Sequence, residues 1–237
     1  MIFSETNHHP VVPEVEFKRL LRLPADYVYE EEMALNVAWT KTWFAQHSQP
    51  WVCAEVIEDF VIEGEVVQLG GTSLESRELA KRFQHAKLAM VVAASAGVEA
   101  EAEAARRWQD DEPDRYYFME TYASAVVESL IGVARAQLCA WADARGLALL
   151  PHYSPGYQGW SVGDQAKVHE LVLRGGSLPG PLEVMSSGML RPKKSQMAVF
   201  AVAPLEFAAQ VDTALIPCKY CAHVRCEFRR EPYALAS

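Results

Sequence analysis

The chain has 237 residues, half of them hydrophobic and 22% charged, with 31 acidic against 22 basic residues and a formal net charge of −9. Such a composition can bury a core and is not that of a disordered chain. Its acidic balance argues against general nucleic-acid or membrane-surface binding, which needs basic patches to neutralise phosphates. The start, MIFSETNHHPVVPEVEFKRLL, lacks the basic opening and apolar run of a signal peptide, and no stretch holds about 18 uninterrupted apolar residues. A cytoplasmic protein without a membrane span is expected.

Residues 1–13, with His8 and His9 beside Pro10, read as a loose N-terminal arm. Helices are expected over 14–23 and about 28–46, the second placing Leu35, Trp39 and Trp43 near one face. Residues 52–69 hold two β-rich runs, VCAEVIEDFVI and EVVQL, joined through Glu63-Gly64 as a hairpin. Thr72-Ser-Leu-Glu75 has capping-box spacing and predicts a helix to about Gln84. LAMVVAAS, residues 88–95, is a short apolar run without alternation, the pattern of a buried strand.

An Ala/Glu-rich helix is expected from Gly97 to about Gln109. Asp114 can cap a long helix over about 116–145 that ends at Gly146, with Val126, Val127, Leu130, Val133, Ala134 and Trp141 as its buried stripe. LALL, at 147–150, is a second buried strand. Ser161-Val-Gly-Asp164 resembles another helix start, with the helix reaching Gly175-Gly176; PLEVMSSGML and QMAVFAVAP supply further strands, separated by RPKKS. Strands alternate with helices, yet the neighbours at 52–69 read as antiparallel. The fold class expected is α+β, a mixed, largely antiparallel twisted sheet with packed helices, over residues 14–210. Residues 211–237 form a separate cysteine-rich segment.

The stretch LLPHYSPGYQGWSVGDQ, residues 149–165, concentrates prolines, glycines and aromatics between a strand and a helix. Ligands commonly bind at such a junction, because unpaired helix N–H groups face the opening. Pro155-Gly156 can hold a sharp turn and let backbone approach a ligand, while Tyr153, Tyr157 and Trp160 can stack on a flat group. An aromatic plug at the end of the core is the alternative. No nucleophile, base and orienting group occur together, so no catalytic residue is assigned.

SPGYQGWSVGDQ, followed about thirty residues later by SSGMLRPKKS, resembles the activation domain of vitamin B12-dependent methionine synthase, and more closely the free-standing bacterial relatives of that domain. VEFKRLLRLP, AMVVAASAGVEAEAEA and YASAVVESLIGVARAQL resemble the family's opening helix, its strand, turn and helix, and its central acidic helix. CKYCAHVRCEFRR resembles the cysteine tail of the free-standing members.

The resemblance implies an accessory protein that binds S-adenosylmethionine and docks on a corrinoid-binding methyltransferase or methionine synthase subunit. It would support reductive remethylation of the partner's cobalamin, with an electron donor such as flavodoxin or ferredoxin. Carried over residue by residue, it assigns ligand contacts to Glu128, Ser154, Gly156 and Tyr157. His152 stands where the family's Arg-x-x-x-Gly-Tyr motif has the arginine that holds the ligand's carboxylate. Glu128, within Ala125-Val-Val-Glu-Ser-Leu130, either pairs with a ligand amino group or ribose hydroxyl, or sits on the solvated edge of its helix. Lys193 and Lys194 either steer an anionic group or form a solvated turn.

Cys53 and Cys139 read as buried structural thiols. Cys218-x2-Cys221-x4-Cys226 has spacing that suits one metal or cluster, with the neighbouring arginines favouring thiolates. An iron–sulfur cluster, a zinc ion, and free or disulfide-bonded thiols all stay open, with His223, Cys53, a ligand or a partner to complete the site. The alternative function is accordingly a metal-binding redox protein acting on corrinoid proteins through these cysteines. A third is a structural subunit of a split methionine synthase with a degenerate ligand site.

Overall fold

A computed structural model describes residues 1–208. The segment expected over 211–237, with Cys218, Cys221 and Cys226, lies outside the described residues. In chain order, β1 (Phe3–Thr6) leads to helices α1 (Glu14–Leu20) and α2 (Glu31–His47). Strands β2 (Trp51–Ile57), β3 (Phe60–Glu63), β4 (Val66–Leu69) and β5 (Thr72–Glu75) precede α3 (Arg77–Phe83) and β6 (Leu88–Ser95). Helices α4 (Val98–Gln109) and α5 (Pro113–Asp143) follow, then β7 (Leu147–Leu149), a single 3-10 turn at Val162–Asp164 and α6 (Gln165–Leu173). The short pair β8 (Glu183–Val184) and β9 (Leu190–Arg191) precedes β10 (Ser195–Pro204) and α7 (Leu205–Ala208).

The main sheet has the order β1-β2-β6-β10-β7, and each of its pairings is antiparallel. The α+β class read from the sequence is the class found. β6 lies at the centre and is covered on both faces, which explains its unbroken apolar run. Ala89, Val91 and Ala93 point into one layer, with α3, α6 and the β3-β4-β5 meander; Met90, Val92 and Ala94 point into the other, with α4 and α5. β10 repeats the alternation: Met197, Val199 and Ala201 face the first layer, Ala198, Phe200 and Val202 the second. A satellite cluster of Phe17, Leu21, Val37 and Phe118 ties α1 and α2 to α5.

Several local expectations are corrected. Residues 3–6, read as part of a loose arm, form an edge strand in register with Trp51–Ala54. Thr72–Glu75 is not a helix start but strand β5; the cap lies four residues beyond Thr72, at Ser76, whose Oγ accepts from Leu79 N. The buried face of α2 carries Val37, Thr40 and Phe44, with Trp39 and Trp43 at its border, and Leu35 faces solvent at 67% exposure. β2 pairs with β6 in the main sheet, so only its successors form the hairpin, whose turn residues are Gly64 and Glu65, with Glu63 paired to Val66 as the last strand position.

α5, 31 residues long, is the one helix among the described residues whose length and hydropathy would suffice to cross a membrane. Here Ala125, Val126, Leu130, Ala134 and Leu138 pack against the sheet. Phe200 joins sheet and helix at the middle of this layer and is fully buried. Phe200→Ala is expected to lower unfolding free energy by about 3–5 kcal/mol. Urea denaturation followed by circular dichroism checks this, and a loss below about 1 kcal/mol would contradict the layer as described.

Candidate functional site

β7 ends at Leu149, but the chain goes on running beside β10. Leu150 N donates to Ala201 O at 2.8 Å, and Tyr153 exchanges two hydrogen bonds with Val199, N to O and O to N, each 2.8 Å. Because successive side chains of an extended chain point to opposite faces, neighbours part company here. Tyr153, 2% exposed, enters the layer of α3 and α6. His152 is half-buried on the α5 side, its ring 5.3 Å from Phe200 and 6.2 Å from Tyr157.

Beyond this tie the chain closes into a compact turn. Tyr157 N donates to Ser154 O, Trp160 N to Tyr157 O, and Gly156 N to Trp160 O, all at 3.0 Å. Gly156 has φ +91°, a region that disfavours side chains, and a Cβ there would meet only Val162, at 3.8 Å. Gly159 is constrained twice: φ is +73°, and a Cβ would stand 2.9 Å from Glu78 Cγ.

The turn is fastened to α3 by one hydroxyl. Ser76 Oγ donates to Gly159 O at 2.7 Å while accepting from Leu79 N at 3.1 Å, so the cap of α3 also holds the loop. The Arg82 guanidinium lies 4.4 Å over the Tyr153 ring. Tyr153 and Trp160 are nearly parallel, 5° apart with centroids at 6.2 Å, and Trp160 Nε1 donates to Asp164 Oδ2 at 2.9 Å. Tyr153 and Trp160 are therefore anchors, buried as the plug reading would have them. Tyr157 stays half-buried, packed edge-on against Tyr153 at 5.3 Å.

Ser154 is 3% exposed, and its Oγ meets no hydrogen-bond partner among the described residues. Leaving a buried hydroxyl unpaired costs about 1–3 kcal/mol, a penalty that a ligand's polar group would relieve.

On α5, Glu120, Ser124 and Glu128 recur every fourth residue and so share one ridge. Lys194 Nζ donates to Ser124 Oγ at 2.9 Å and lies 3.3 Å from Glu120; Lys193 Nζ lies 2.8 Å from Glu120. Burial works against the charge on Lys193, but the Glu120 carboxylate outweighs it and holds the ammonium's pKa above its ordinary value. Both lysines are thus tied to the helix. Glu128, one turn beyond Ser124, is exposed on the same ridge.

Residues 195–198 of β10 pair with β6 on one side, while on the other no described strand continues the ladder beyond Tyr153. The loop thus brings His152, Ser154, Gly156 and Tyr157 together, and Glu128 lies on the helix that covers the sheet face to which His152 points. Reading the sequence missed Ser76, Arg82 and Glu120. Ser76 was hidden because Thr72-x-x-Glu75 matches the capping box better than Ser76-x-x-Leu79 does; Arg82 and Glu120 carry no local signal.

Among the described residues no group of three His, Cys, Asp or Glu side chains converges as a metal site. Cys53 is fully buried, and burial pushes its thiol up to about 12, which makes it a poor thiolate ligand. Cys139 is half-buried on α5.

No family model matches the sequence, and no curated protein matches it. Among solved structures, the chain is similar to the MetH reactivation domain bound to AdoHcy, with a TM-score of 0.61 and 11% identity over 86% of this chain and 79% of that one. The shared property is the fold: helices around a curled antiparallel sheet.

Ser76→Ala removes both a helix cap and the tie to Gly159. It is expected to cost about 1–3 kcal/mol in denaturant unfolding. The exposed Ser73→Ala, on β5 three residues before Ser76, should stay within about 0.5 kcal/mol of the parent. Equal effects of the two would contradict the anchoring role.

Proposed function

We propose that the chain binds S-adenosylmethionine between the 152–157 loop and the α5 ridge, as an accessory protein that supports reductive remethylation of cobalamin held by a partner methyltransferase. The observation that carries this reading is the buried, unpartnered Ser154 hydroxyl, set in a glycine turn between two half-buried rings. The likeness of the fold to a reactivation domain bound to AdoHcy supports the same ligand class.

The residues present suit an S-adenosyl amino acid. Tyr157 offers a ring face to the adenine. Ser154 Oγ offers a hydrogen bond that nothing else in the described chain takes. Glu128 accepts from an ammonium or from ribose hydroxyls. Gly156 lets the backbone approach the ligand without a side chain in the way. His152 faces the same side and, when protonated, neutralises a carboxylate. The bound ligand supplies the methyl group; the protein's own part is to orient that ligand and keep water from one side of it.

The corrinoid and the electron donor belong to partners in this scheme. The cysteine triplet, if it holds a cluster or zinc, would add to the scheme without being needed for ligand binding.

Calorimetry with S-adenosylmethionine tests the reading. Heat of binding is expected for the parent, weakened by roughly 10-fold or more in Tyr157→Ala and in Glu128→Gln, since one lost contact of about 1.4 kcal/mol is a factor of ten. No heat at millimolar ligand would contradict it. A guanidinium is always charged and forks onto a carboxylate, so His152→Arg should bind S-adenosylmethionine more tightly than the parent.

A further inference from the structure

A cleft of about 450 Å³ shares no lining residue with the loop just described. It is lined by Thr6 and Asn7 at the end of β1, Gln49 and Trp51 at the start of β2, the first residues of α4, and the segment Pro179-Gly180-Pro181. Its volume falls within the roughly 300–1,000 Å³ of small-molecule sites.

Two independent features give the cleft a polarity. The first is the end of α4. Its N-cap is Gly97, with φ +94° and no side-chain cap, so the first-turn N–H groups are left for the cleft side of a 12-residue helix. Glu99 folds back over Gly97: a Cβ at 97 would stand 2.5 Å from its Oε2, and that oxygen accepts from Gln49 N at 3.3 Å. The second feature is Trp51. It is 2% exposed, and its Nε1–H donor meets no acceptor among the described residues. That nitrogen sits against the cleft wall, where a methyl group on Gly180 would come within 2.4 Å of it. Prolines on either side fix the wall's backbone.

One carboxylate beside a set of unmatched N–H donors asks for a ligand with both signs. A simple anion is disfavoured by Glu99, and a simple cation would leave Trp51 unsatisfied. We infer that this cleft binds a free α-amino acid, its ammonium on Glu99 and its carboxylate directed to Trp51 Nε1–H and the N-terminal amides of α4. A carboxylate accepts several hydrogen bonds, so the Gln49 contact leaves Glu99 room for the ammonium. The side chain of the amino acid would lie along the Pro179–Pro181 wall.

The site stands apart from the S-adenosylmethionine reading and is tested separately. Thermal unfolding of the full chain is measured with each of the twenty proteinogenic L-amino acids at millimolar concentration, and with the N-acetyl and amide derivatives of any that act. At least one amino acid is expected to raise Tm by about 3 °C or more. Its N-acetyl form, lacking the ammonium, and its amide, lacking the carboxylate, should both fail. Glu99→Gln, at a half-buried surface position, and Trp51→Phe, which removes the Nε1–H donor together with one ring of the indole, should each abolish the shift. S-adenosylmethionine binding is measured in the same variants and should be unchanged, so the two sites are judged apart. If Trp51→Phe alters the far-ultraviolet spectrum, Glu99→Gln decides. No shift with any amino acid, or a shift that survives Glu99→Gln, overturns the inference.

Discussion

A single pair of backbone hydrogen bonds, between Tyr153 and Val199, sets the geometry on which the loop depends. β7 alone reaches only as far as Leu149. Without this tie the following residues would have no fixed face, since register in an extended chain decides every side chain's direction. With it, Tyr153 is committed to the α3 and α6 layer and His152 to the α5 layer. The aromatics then divide into anchors, Tyr153 and Trp160, and half-buried groups, His152 and Tyr157. The Ser76 hydroxyl and the Arg82 guanidinium fix the anchored side from beneath. A site built this way rests on rigid elements on both flanks, which is what ligand orientation requires.

The fold was legible wherever burial on two faces left an apolar run. β6 over Leu88–Ser95 and α4 over Val98–Gln109 stand where the residues placed them, because apolar periodicity there has no competitor. Legibility failed where local chemistry fitted two structures. Thr72-Ser-Leu-Glu75 has the residues of a helix cap, yet pairing with Val66–Leu69 makes it a strand. Phe3–Thr6 carries little hydrophobic signal because an edge strand half exposes its side chains. In α2 the tryptophans drew the expected face, but the buried stripe follows Val37 and Phe44.

The candidate site shows the same division. The 149–165 loop announced itself through prolines, glycines and rings, and those are the residues that shape its turn. Which rings would be buried could not be read, because that follows from pairing with β10, about fifty residues away in sequence. The setting of Glu128 was open for a similar reason: helix periodicity alone left it at the border of the apolar stripe, and packing on the sheet leaves it exposed. At 11% identity the likeness to the reactivation domain is carried by layers rather than by residues. Cores tolerate extensive substitution when volume and patterning are kept, whereas a contact such as the one His152 would make depends on the particular side chain.

The central claim, that the tied loop and the α5 ridge form one ligand cradle, is tested most directly by hydrogen–deuterium exchange with and without S-adenosylhomocysteine, read by mass spectrometry on the full chain. Slowed exchange is expected in peptides covering 150–160 and in the α5 peptide that contains Ser124 and Glu128, with no change in the β3-β4-β5 meander. Exchange unaltered in both segments, or slowed only elsewhere in the chain, would contradict it.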